Sequence, residues 1–106
     1  MFNTGTTVNI PPGQTRPPIN GWIQLTKVRL IHPQGGHEHI SYLGNSDGMW
    51  AREQIVAWIE ANQYGFYTQV DGRRAEVKVR TNGYTKYVQT VADGYWTDNL
   101  LALPRA

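Results

Sequence analysis

Three histidines, His32, His37 and His39, fall in one short stretch with Glu38, the densest concentration of coordinating and proton-transferring side chains in the chain. In an extended strand, side chains two apart share a face. His37 and His39 would then present two imidazoles side by side and hold a divalent ion if His32, Asp93 or Asp98 supplied a third ligand. Ser41, one of these histidines and Asp98 can also be drawn as nucleophile, base and orienting group. Both drawings lack support in the surrounding sequence. A structural zinc site shows four ligands at recognisable spacing, and here only two are coupled. Ser41 has no nucleophile elbow or oxyanion-forming glycine turn beside it. The glycine-rich turns match neither a phosphate loop nor a dinucleotide fingerprint. No catalytic residue, metal site or cofactor is therefore assigned, and His37 and His39 stand as candidate binding residues.

A second chemistry-bearing group follows later in the chain. Arg73, Arg74, Lys78, Arg80 and Lys86, with Tyr84 and Tyr87 nearby, combine cations for phosphates with rings for bases, the ingredients of a single-strand nucleic-acid platform. Glu76 interrupts the run. The simpler reading is a charged solvent face that keeps a sheet soluble and its edges unattractive to other sheets. The net charge of +2 falls short of the clustered Lys and Arg density of a dedicated duplex-DNA binder. Near the C-terminus, Trp96, Asp98 and Asn99 form a third candidate group, although Asp98 and Asn99 are also good cap and turn formers.

These groups must be positioned by local structure. Residues 1–20 are rich in Thr, Asn, Gly, Gln and Pro and offer almost nothing to bury, so they read as a disordered tail ahead of a single domain over 21–106. Residues 22–31 read as a first strand. Ile23 and Leu25 have opposite parity to Val28 and Leu30, so either both faces are partly covered or a bulge near Thr26 resets the register. Residues 37–43 alternate as a second strand, with turn residues at 44–48. Ile55, Val56, Trp58 and Ile59 recur at helical spacing within 49–62, with Ser46 or Asp47 as N-cap and Asn62 or Gly65 as the left-handed stop. Trp58 is the residue of this helix expected to be most buried.

A meander then follows: 66–70, an Asp71-Gly72 type I′ turn, 75–80, an Asn82-Gly83 turn, and 84–92. Ala75, Val77 and Val79 face one way, and Glu76, Lys78 and Arg80 the other. The inward set of the last strand is open between Val88, Thr90, Ala92 and Tyr87, Gln89, Val91. Leu100, Leu101 and Leu103 are too apolar to hang free and are expected on a short turn capped by Thr97 or Asp98. The predicted fold is thus α+β: an antiparallel sheet of about five strands in the order β-β-α-β-β-β, one helix packed on one face, and a C-terminal turn docked on the core.

At 106 residues the chain is the size of one domain. It has no cysteine, which removes disulfides and thiolate chemistry together. No apolar run approaches membrane-spanning length and no secretory pattern opens the chain, so no membrane association and a cytoplasmic location are the default expectations. Four Trp and six Tyr against two Phe place much of the apolar area in rings with a polar edge, which favour core margins and binding surfaces.

Three blocks occur in order: Gly35-Gly36-His37-Glu38-His39-Ile40 after Val28-Arg29-Leu30, then residues 52–59 on the helix, then Trp96-Thr97-Asp98-Asn99-Leu100-Leu101-Ala102-Leu103-Pro104. Over roughly 27–104 they resemble a small bacterial family, domain of unknown function 3892. The resemblance implies no activity, substrate or catalytic residue. From the residues themselves, the favoured reading is a non-catalytic binding module that recognises a protein partner or a second copy of itself. A weak nucleic-acid binder using the basic sheet face is the alternative, and a His-dependent metal-binding or hydrolytic enzyme the third.

Overall fold

The computed structural model describes residues 17–32 and 35–106; the greater part of the expected tail lies outside the described residues. Among the described residues, eight strands and one helix follow in order: β1 (Trp22–Gln24), β2 (Lys27–Leu30), a 3-10 turn (His37–His39), β3 (Ile40–Asn45), β4 (Gly48–Ala51), α1 (Arg52–Glu60), β5 (Gly65–Val70), β6 (Arg73–Thr81), β7 (Lys86–Ala92) and β8 (Tyr95–Thr97). They build the expected α+β class. The five-stranded sheet runs β1-β5-β6-β7-β8, and a second sheet of three strands runs β2-β3-β4. Neighbours are antiparallel except β1 and β5, which pair in parallel and make the larger sheet mixed.

The expected first strand, 22–31, is two strands in two sheets. The Leu25 amide donates to the Tyr67 carbonyl at 2.8 Å, and the next amide, of Thr26, donates to the Gly44 carbonyl at 2.8 Å. The chain thus changes sheets within two residues, which explains the parity conflict between Ile23/Leu25 and Val28/Leu30. A second difference concerns residues 48–51. Their apolar spacing fits a helix, but they form β4, paired with β3 through Leu43↔Trp50 and Asn45↔Gly48. Ser46 and Asp47, expected as helix caps, therefore sit in a hairpin turn, where Asn45 Oδ1 accepts from the Asp47 amide at 2.8 Å. The helix begins at Arg52 without a side-chain cap and ends at Glu60, and Asn62 just beyond it is left-handed (φ 57°) as expected.

The meander forms as the turn chemistry requires. Asp71 and Gly72 both have positive φ, 53° and 77°, the pairing a type I′ turn needs. Asp93 and Gly94 repeat it at 54° and 82°, which adds the hairpin β7-β8 ahead of the docked C-terminal turn, where no further strand was expected. Ala75 and Val77 are buried on β6, and Val88 and Thr90 on β7, so the even-numbered residues of β7 face inward. Against this face lies α1 with Ile55 and Val56 fully or nearly buried. Trp58 stacks on the buried Phe66 with ring centroids 6.2 Å apart, flanked by Trp50 and Tyr64. Trp58 itself is half-buried: the ring at the centre is Phe66, and Trp58 closes the margin.

Leu100 and Leu103 dock on the core, with Leu101 packed half-buried beside them. The turn that carries them is bonded from the Ala102 amide to the Asp98 carbonyl, and Thr97 Oγ1 accepts from the Asn99 amide at 3.3 Å. The last residues then run along β2, where the Val28 amide donates to Pro104 and the Ala106 amide to Val28. At the other terminus, residues 17–20 are held rather than free. The Ile19 and Asn20 amides donate to the carbonyls of Asn62 and Gln63 at 2.9 and 2.7 Å, so contact with the domain begins before the expected boundary at residue 21.

Candidate functional site

Residues directly opposite in a ladder share a face, so the register defines what lies on the side of the large sheet away from α1. On β6 the outward residues are Arg74, Glu76, Lys78 and Arg80. Gln69 and Tyr67 stand opposite the first two on β5; Val91, Gln89 and Tyr87 stand opposite Glu76, Lys78 and Arg80 on β7. Trp96 pairs with Val91 at one edge, and Trp22 with Gly65 at the other. On this face Gln89 is buried and the Lys78 side chain is only 16% exposed, whereas Arg74 and Gln69 are exposed. Trp22 and Trp96 stay 41% and 46% exposed on it, although both are large apolar rings.

The cations on this face are held over the rings. The Arg74 guanidinium carbon lies 3.9 Å from the centre of the Tyr67 ring and 5.0 Å from that of Trp22. Arg80 lies 4.2 Å over Trp96, and its Nη1 donates to Gln89 Oε1 at 2.9 Å. Gln89 in turn donates from Nε2 to the Thr97 carbonyl at 3.1 Å, which fixes its orientation. Such stacking contributes roughly 0.5–1 kcal/mol per contact at exposed sites and orders the arginine side chain. Between the two stacks, Lys78 Nζ donates to Glu76 Oε2 at 2.7 Å. The face thus carries two ring-supported guanidinium planes with one internally paired lysine between them.

The candidate residues separate on this geometry. Lys78, Arg80 and Trp96 come together on the open face. Arg73 has the parity of Ala75 and is exposed beside the Asp71-Gly72 turn. Lys86 is on the helix side, bonded through Nζ to Glu60 Oε2 of α1 at 2.9 Å. Arg74, named in the basic run, joins them, and Trp22 and Tyr67 join the face without having been expected there. The alternation of β5 marks one face with Tyr67; nothing local places Trp22 beside Gly65, because that pairing is parallel and long-range.

The histidine cluster does not form the arrangement an extended strand would give. His37–His39 is a 3-10 turn, so the two imidazoles are not neighbours on one strand face. His39 instead meets His32 edge to face, centroids 4.9 Å apart. Arg52 Nη1 donates to the Glu38 carbonyl at 3.0 Å and ties the turn to the start of α1. His37 Nε2 lies 4.0 Å from Asp98 Oδ1, with the His37 side chain 11% and the Asp98 side chain 85% exposed. Burial lowers the His37 pKa; Asp98 and Glu38 pull it up, less effectively, and Arg80 adds to the lowering. Asp98 is largely in water, so its attraction is screened. Ser41 Oγ donates to the Arg29 carbonyl at 3.1 Å and is engaged in backbone support. Asn99 is half-buried and serves the C-terminal turn. Among the described residues, no three His, Asp or Glu side chains converge to hold a metal ion.

A small α+β domain with a helix on one face of a mixed sheet and ring-stacked cations on the other is the class of protein these features define. Its family is shown by a direct match: the chain belongs to the family described as Protein of unknown function (DUF3892), whose model matches residues 24–104, from the end of β1 through the C-terminal turn. No match was found among the curated proteins or among the solved structures. Among the described residues, no helix is long and apolar enough to cross a membrane.

Proposed function

We propose that this chain is a non-catalytic binding module whose working surface is the open face of the five-stranded sheet. The observation that carries the reading is the placement of Arg74 over Tyr67 and Trp22 and of Arg80 over Trp96, on the face of the sheet away from α1. Trp, Tyr and Arg are the residue types that dominate binding energy at interfaces. Here their side chains are ordered before any partner arrives, which reduces the entropy lost on association. The chemistry at His37 supports a structural role better than a catalytic one, since Ser41 is engaged with backbone and Asp98 projects into solvent.

A protein partner, or a second copy of the chain adding a strand at β8, is the competing occupant. Exposure of Tyr95 (76%) beside Trp96 at that short edge favours it. A photoreactive side chain tests the choice of surface. It is placed at Gln69, exposed on the open face, and in a second variant at Gln54, exposed on α1. Adducts formed in cell extract from position 69 and not from position 54 are the expected result. Equal labelling at both, or none at 69, contradicts the proposal.

A further inference from the structure

We infer that the occupant of the open face is a single-stranded nucleic acid, with bases stacked on the Arg74 and Arg80 guanidinium planes and phosphates drawn to the cations of β6. The inference rests on the reading of this face as the working surface. Arg74 and Arg80 stand on it beside a Lys78 that is paired with Glu76, so the face keeps a net positive charge and the complementary ligand is an anion. The rings make that anion a particular kind. Each arginine sits over an aromatic ring, the Arg74 guanidinium carbon 3.9 Å from the centre of Tyr67 and that of Arg80 4.2 Å from the centre of Trp96, and unpaired bases stack on aromatic rings and guanidinium groups alike.

Spacing agrees with this occupant. Same-face residues along a strand recur about every 6.6–6.8 Å, so Arg74 and Arg80, at opposite ends of the row, lie about 20 Å apart. That length accommodates a few nucleotides of an extended strand. A duplex hides its base faces inside its own stack and could use only the charges, so it would leave the ring-supported planes unemployed. A simple polyanion would use only the charges too. Gln89, buried and bonded to both Arg80 and the Thr97 carbonyl, holds the Arg80 guanidinium in place.

Fluorescence anisotropy on the full chain tests this, using a fluorescein-labelled 12-nucleotide dT strand, the same sequence as a dT·dA duplex, and heparin as competitor. The single strand is expected to bind at least about ten-fold more tightly than the duplex. Its log K should fall against log salt with a slope of about −1.4 if two phosphates are neutralised. Arg80→Gln should weaken it at least about five-fold, the lower end for losing one stacked base. Lys86→Gln removes the same charge from the helix side and should change affinity less than about two-fold, whereas Glu76→Gln should tighten binding. Melting curves confirm that each variant is folded. Equal binding of strand, duplex and heparin, an equal effect of Lys86→Gln and Arg80→Gln, or no binding of the strand overturns the inference. Failure here with a protease-sensitive adduct at position 69 leaves the open face as the working surface with a protein on it; absence of any adduct at 69 removes the surface reading itself.

Discussion

The indole of Trp22 lies directly across Gly65, so that a Cβ at residue 65 would run into the ring and crowd Pro18 beside it. Glycine is needed there for space, at the parallel junction of β1 and β5. The absent side chain lets an aromatic ring lie close to the sheet, where Arg74 reaches it from β6.

Gly65→Ala should accordingly displace Trp22 and destabilise the fold by about 1–3 kcal/mol, the usual range for overpacking a fitted site. Urea unfolding reads the loss as a lower midpoint, and the Trp22 indole resonance should move. An unchanged midpoint with an unmoved indole would show that the contact gives way at no cost.

The C-terminal block is part of the core. Leu100 is fully buried, and Leu100→Ala should cost about 2–5 kcal/mol, comparable with much of the net stability of a domain this size. Leu101, half-buried, should cost less. Removing residues 98–106 deletes both leucines, Leu103 and the backbone pairing with Val28, and should abolish cooperative unfolding. A truncated chain that still melts cooperatively near the parent temperature would make the block an appendage.

His37 should make stability depend on pH. Its pKa is lowered in the folded chain, chiefly by burial, so the unfolded chain binds more protons between that lowered value and the ordinary 6.5. Stability then rises with pH across this window, is complete above about 6.5, and is lost as pH falls. Asp98, Glu38 and Arg80 are the charged groups acting on the imidazole, the first two opposing the burial effect. The melting temperature should fall from pH 7.5 to pH 5.5, and the fall should be smaller in His37→Asn. An identical pH profile in the variant would remove His37 as the cause.

What could be read from the sequence was local. Asp71-Gly72 demands left-handed φ at both positions and folds that way; the alternation of Ala75, Val77 and Val79 marks the inner face of β6; three leucines near the end must be buried somewhere. What escaped was long-range. The break at Leu25 and Thr26 depends on carbonyls of Tyr67 and Gly44, and only the parity conflict hinted at it. Trp50 has helical spacing from Trp58 but pairs with Leu43, because hairpin bonding to β3 outweighs a periodicity that only one more turn of helix would have used. The open face combined Arg74, expected there with the other cations of the basic run, with two rings, Trp22 and Tyr67, whose neighbours are set by strand order. Lys86 illustrates the converse: close to Arg80 in sequence, it faces the other side of the sheet and pairs with Glu60.

The four tryptophans divide evenly: Trp22 and Trp96 stand on the open face, while Trp50 and Trp58 pack together on the helix side. Their indole N–H resonances therefore report the two sides of the sheet in one spectrum. Adding the 12-nucleotide dT strand to the isotopically labelled full chain should shift or broaden the Trp22 and Trp96 signals and leave Trp50 and Trp58 in place. Perturbation of Trp50 and Trp58 instead, or four unmoved indoles at saturating strand, would contradict the open sheet face as the binding surface for this ligand.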